Sequence, residues 1–71
     1  MKLARVIRTG GAWVITEPYS IVDSPPVGTI VQYEPILNEG CDMYFPGILG
    51  YAPITWNLFW EYFEDLDDET S

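Results

Sequence analysis

The chain is predicted to be α+β, mostly β: a small antiparallel barrel of four to five strands followed by one C-terminal amphipathic helix. Three observations predict this. Short β-branched and aromatic runs are punctuated by glycine, proline and Asn/Asp turn residues as far as Tyr51. After Ala52-Pro53 the apolar pattern changes to a helical period of about 3.6. Finally, 71 residues make one small domain, and a domain of that size buries only about 60 to 65 percent of its unfolded surface, so its core must be unusually apolar. The composition meets that demand with 48% hydrophobic and 15% aromatic residues, which argues against a disordered acidic chain despite a net charge of -8.

The first strand is read from Leu3 to Thr9, a β-branched run that begins without a helix cap, and Gly10-Gly11 supplies the positive φ angles of a hairpin turn. The second strand, Ala12 to Thr16, closes at Glu17-Pro18, because proline cannot donate to a ladder. Tyr19 to Val22 reads as an edge segment before the turn cluster Asp23-Ser24-Pro25-Pro26. In the next strand, Gly28 to Tyr33, Thr29, Val31 and Tyr33 alternate against Ile30 and Gln32, and Glu34-Pro35 marks its end. Residues 11–18 and 28–35 thus share the phrase Gly-x-x-Val-x-x-Glu-Pro, which is read as common strand punctuation rather than duplication.

Asn38-Glu39-Gly40 reads as a turn, Cys41 to Phe45 as a fourth strand, Pro46-Gly47 as a further turn and Ile48 to Tyr51 as a short fifth strand. Partial closure of such a sheet into a partly open SH3-like barrel would remove most of its exposed edge. Thr55 is placed to cap a helix running to Leu66, with Trp56, Leu58, Phe59, Trp60, Tyr62, Phe63 and Leu66 in one arc of about 200 degrees and Glu61, Glu64, Asp65 and Asp68 outside it. The domain is therefore read as residues 1–66, with strands over 2–51, the helix over 55–66 and an acidic C-terminal tail over 67–71.

Composition narrows the chemistry. With no histidine, one cysteine and three cations, a histidine base, a thiolate–imidazole pair, a zinc cage and a lysine-rich phosphate site are close to excluded. The expectation is no enzyme, no cofactor and no metal site. Asp65-Leu66-Asp67-Asp68-Glu69 lacks the glycine turn and distal glutamate of a calcium loop, and Gly10-Gly11 lacks the helix and lysine of a phosphate cradle. Cys41 has no partner for an intramolecular disulfide. No apolar stretch approaches the roughly 20 residues of a membrane span, and charges interrupt the apolar start Met1 to Arg8, so a cytoplasmic protein is expected, in host cytoplasm if phage-encoded.

Charge is polarised along the chain. Lys2, Arg5 and Arg8 are the cations, whereas Glu61, Glu64, Asp65, Asp67, Asp68 and Glu69 crowd the C-terminal region. Such an anion repels nucleic acid and anionic lipid, which makes a basic protein surface the natural partner. On a helix, carboxylates near the C-terminus meet the negative end of the macrodipole at a cost of about 0.3 to 1 kcal/mol each. Two readings follow: a fixed anionic stripe for a basic groove, flanked by Trp60 and Tyr62 as partner contacts, or a solvated face running into a solubilising tail.

In general character the chain resembles the compact acidic proteins that phages and mobile elements use against host nucleases, restriction or CRISPR complexes, glycosylases or RNA polymerase. That resemblance is compositional, and no motif carries residues across. It implies an inhibitor or adaptor that docks its acidic, aromatic-flanked helix face on a basic site of a nucleic-acid-binding partner, as a nucleic-acid mimic. The alternatives are a self-associating assembly protein that uses the surplus apolar helix face, hence a homo-oligomer, and an SH3-like module with Trp13, Tyr19, Tyr33 and Tyr51 in a peptide groove.

Overall fold

Alternation decides which residues face inward. In the computed structural model, which describes residues 1–36 and 38–66, the strands are β1 (Lys2–Val6), β2 (Ala12–Ile15), β3 (Ser20–Asp23), β4 (Ile30–Ile36), β5 (Gly40–Tyr44), β6 (Ala52–Thr55) and β7 (Phe63–Asp65), with one helix, α1 (Trp56–Tyr62), before β7. Ala4 and Val6 on β1, Val31 and Tyr33 on β4, Cys41 and Met43 on β5, Ala52 on β6 and Phe63 on β7 are buried. Their neighbours in sequence point to the other face of the sheet, as the pleat requires.

The chain is mostly β, with one short helix. Five strands form an antiparallel sheet in the order β6-β5-β4-β1-β7, and β2 and β3 form a separate two-stranded sheet. Neither closes on itself: β6 and β7 are opposite edges. Trp13 and Ile15 of β2 and Phe59 of α1 complete the core over the inner face. Phe59 has no exposed surface and its ring lies 4.8 Å from that of Tyr33 and 5.8 Å from that of Phe63. Burying side chains of this size is what lets a small sheet hold together.

Several expected elements differ. The Gly10-Gly11 hairpin between the first two strands does not form. β1 instead lies between β4 and β7, with Ala4 opposite both Val31 and Asp65. The two glycines do have positive φ, but their turn leads the chain out of one sheet into the β2–β3 hairpin. Ser24 Oγ holds that turn, accepting from Trp13 Nε1 at 2.7 Å and donating to the Gly10 carbonyl at 3.2 Å. β4 continues past Glu34-Pro35 to Ile36, with Pro35 opposite Cys41. Its pairing with β1 ends at Tyr33, so proline falls where one edge is free of a partner and its missing N–H costs little. Residues 48–51 form no strand, and the last strand of the meander is Ala52–Thr55, Pro53 included.

The largest correction concerns the helix. Thr55 caps it as expected, its Oγ1 accepting from the Leu58 N–H, but helical structure stops at Tyr62 and Phe63 turns extended. Residues 63–65 then pair with β1, Val6 opposite Phe63 and Arg5 opposite Glu64. The macrodipole conflict is thereby relieved inside the fold: acids that would sit badly at a helix C-terminus sit on a strand beside a cation.

Candidate functional site

Among the described residues, the expected acidic site residues are divided between α1 and β7. Glu61 lies in the last turn of α1, and its Oε2 accepts from Arg8 Nη1 at 3.1 Å. Glu64 lies on β7 and accepts from Arg5 Nε at 3.0 Å. Asp65 is half-buried on β7, opposite Ala4. Asp67, Asp68 and Glu69 lie outside the described residues. Trp60 and Tyr62 also separate. Trp60 is 55% exposed and stacks on Trp56 with ring centroids 6.2 Å apart, whereas Tyr62 meets Trp13 edge-on at 5.4 Å, with the Arg8 guanidinium 5.9 Å from its ring centre. Tyr62, Leu58, Pro53, Val14 and Gly11 line an apolar groove of about 290 Å³ between α1 and the β2–β3 hairpin. Of the four aromatics expected in a peptide groove, Trp13 and Tyr33 are core, Tyr19 is exposed on the hairpin and Tyr51 is half-buried.

A different set of acids converges. Glu34 on β4 is directly opposite Asp42 on β5, and Asp42 is opposite Pro53 on β6. Two residues along β5, on the same face, Tyr44 brings its ring to 6.1 Å from that of Tyr51. Thr16 bridges to Tyr51, which brings the next residue, Glu17, to the same rim. Glu17 is held at a φ of 55°, a left-handed conformation that residues other than glycine seldom adopt.

The electrostatics show that these groups act on one another. Burial, and then the Glu34 carboxylate, raise the Asp42 pKa above its ordinary value. Oδ1 of Asp42 is fully buried and has no hydrogen-bond partner among the described residues. The Tyr51 hydroxyl is also pushed up, first by Glu17, then by burial, Asp42 and Tyr44. Among the described residues none of Glu17, Glu34 and Asp42 has an ion pair. Glu34 and Asp42 are thus like charges on paired strands, a cost that an external cation would relieve.

Sequence reasoning missed this rim. Its one signal was the repeated Glu-Pro phrase, which places Glu17 and Glu34 just where β2 and the β1-paired part of β4 end. Among the described residues no group of three or more Asp, Glu, Cys or His side chains could hold a metal ion, and no helix is long and apolar enough to cross a membrane. Comparison with protein-family models, with curated proteins and with solved structures finds no match.

Proposed function

We propose that the chain is a small anionic protein-recognition module, an inhibitor or adaptor that binds a cation-bearing surface of another protein. One observation carries this reading: Glu34 and Asp42 lie side by side on β4 and β5 and Glu17 lies beside Tyr51, with no ion pair to any of the three among the described residues, while Arg5 and Arg8 pair with Glu64 and Glu61. The anionic surface thus moves from the helix to the rim of β4, β5 and residue 51. Arginines that take phosphates also take carboxylates, so a nucleic-acid-binding protein is one class of partner with suitable chemistry. The strand order supports an SH3-like arrangement within this reading. A three-strand meander, β4-β5-β6, continues on its β4 side into the first and last strands, β1 and β7, and a hairpin excursion follows the first strand.

The test is an array of short peptides of acidic, neutral and basic composition. The chain should retain basic peptides, with retention falling steeply in salt. The triple variant Glu17→Gln, Glu34→Gln, Asp42→Asn should lose that retention, and the double variant Glu61→Gln, Glu64→Gln should keep it. Equal retention of neutral peptides would overturn the reading.

One observation favours a second reading, self-association. Val14 and Ile21 are opposite one another on the outward face of the hairpin, 51% and 59% exposed, beside the exposed Tyr19. Paired apolar residues on an outward face are a contact surface for another copy. Light scattering of Val14→Lys against the parent chain tests it, and a parent that is monomeric at every concentration removes it.

A further inference from the structure

Among the described residues, no element packs on the outer face of the five-stranded sheet. Phe59 of α1 and Trp13 and Ile15 of β2 join the core on the inner face. The register arranges the outer residues in cross-strand rows. Leu3, Gln32 and Tyr44 form one row; Glu34, Asp42 and Pro53 form the next; and Arg5 with Ile30 lies on the other side. The turn after β5, closed by the Ile48 N–H donating to the Phe45 carbonyl, rises beside the middle row. Together they enclose a depression of about 470 Å³ with Ile30, Gln32 and Tyr44 among its floor residues and Pro46 and Ile48 among its walls. Ile30 and Ile48 are both exposed there.

We infer that this outer sheet face docks an extended segment of a partner protein in which an arginine stands two residues from an apolar side chain, the apolar group in the depression and the guanidinium on Glu34 and Asp42. The inference rests on the basic-partner reading above and names its face and its ligand chemistry. Charge complementarity selects the occupant. The acidic row borders a hollow that presents Ile30 and Ile48 beside the polar Gln32, and two positions along a strand span about 6.6 Å, so a segment with that spacing meets both at once. Arginine fits better than lysine for two reasons. Its planar fork can take two carboxylate oxygens together, and its face stacks on tyrosine. The rings of Tyr44 and Tyr51 stand beside Asp42, whereas an ammonium group would use only the charge.

The experiment is a two-dimensional NMR titration of the full chain with the blocked hexapeptide Gly-Arg-Ser-Leu-Ser-Gly and its counterparts carrying lysine or citrulline in place of arginine. The expected result is shifts centred on Gln32, Asp42, Tyr44 and Ile48, with affinity about threefold weaker for lysine and about tenfold weaker for citrulline, the latter corresponding to about 1.4 kcal/mol. Asp42→Asn should weaken the arginine peptide about fivefold or more by loss of a charged partner, and Ile30→Asp should do the same while retaining the parent circular-dichroism spectrum. Binding of arginine and lysine peptides with equal affinity, or shifts confined to the groove of Leu58 and Tyr62, would overturn this site and leave the basic-partner reading standing. Citrulline binding as well as arginine would overturn both. Concentration-dependent shifts on this face without peptide would also overturn it, by showing that a second copy covers the hollow.

Discussion

Thr16 and Tyr51 exchange both backbone hydrogen bonds, the Thr16 N–H donating to the Tyr51 carbonyl at 2.7 Å and the Tyr51 N–H to the Thr16 carbonyl at 3.1 Å. This bridge lies outside the named strands and ties the β2–β3 hairpin to the β6 end of the larger sheet. It also sets Glu17 beside Tyr51 and so brings a hairpin carboxylate next to that hydroxyl.

The bridge depends on Gly50. Its φ is +92°, and a Cβ there would stand 2.5 Å from the Thr16 carbonyl oxygen and 2.8 Å from Ile15 Cγ2. Gly50→Ala is therefore expected to lower stability by about 2 to 4 kcal/mol through backbone strain and loss of the bridge. Urea unfolding measures this, and a loss under about 0.5 kcal/mol would show the joint to be dispensable.

Glu17 tests whether strain is stored at the rim. A left-handed residue other than glycine costs about 1 to 2 kcal/mol, so Glu17→Gly should leave stability unchanged or raised while weakening capture of basic peptides. A destabilised variant in thermal melts would mean that the side chain supports the fold instead.

The aromatic residues of α1 divide by burial. Phe59→Ala should cost about 3 to 5 kcal/mol, enough to unfold much of a domain whose whole stability is of order 4 to 10 kcal/mol. Trp60, half exposed and stacked on Trp56, should cost under about 1.5 kcal/mol on truncation, in line with a contact worth a fraction of full burial. Comparable losses for the two in urea titrations would refute this division.

The two ion pairs should contribute little. The Arg5 and Glu64 side chains are 41% and 42% exposed, and those of Arg8 and Glu61 61% and 48%. Solvent screening limits such pairs to about 0.2 to 1 kcal/mol. A double-mutant cycle on Arg5 and Glu64 should give a coupling in that range that shrinks in salt, with a smaller one for Arg8 and Glu61. A coupling above about 2 kcal/mol would mean that β7 is held by charge rather than by its ladder and Phe63.

Two titrations carry a sign. Burial, and then Asp42, push the Cys41 thiol up to about 12 from its usual 9.0. Its folded value lies above the unfolded one, so the stability it contributes is present below pH 9 and declines as pH rises from there towards 12. At pH about 8 an aromatic disulfide reagent should label it only as fast as the fold opens. Asp42 is raised as well, so its ionisation costs stability at neutral pH, and acidification from above towards the ordinary carboxylate range relieves that cost. Asp42→Asn should flatten this part of the pH–stability profile. An unchanged profile would place the titrating group elsewhere.

How much was legible depends on the range of the forces involved. Period-two alternation separated Val31 and Tyr33 from Ile30 and Gln32, and the structure buries the first pair and exposes the second. Thr55 marked the helix start because capping is a contact with Leu58, three residues away. The pairing partners of β1 were not legible, since glycines at residues 10 and 11 specify a turn but not which strands it joins. The same holds for the helix end. The excess of acids after Tyr62 was visible, yet its meaning lay in Arg5, 59 residues from Glu64 along the chain.

The sequence by itself determined the facing of β4, the position of several turns and the start of the helix, all of which follow from backbone preferences and the hydrophobic effect acting over a few residues. Tertiary structure alone decided which carboxylates are neutralised. Laying β7 against β1 pairs Glu64 with Arg5, while Glu34 and Asp42 lie side by side, and Glu17 beside Tyr51, without an ion pair among the described residues. Charge is a property of the residue, but its cost depends on neighbours within a few ångströms, and in this chain those neighbours come from opposite ends and separate hairpins.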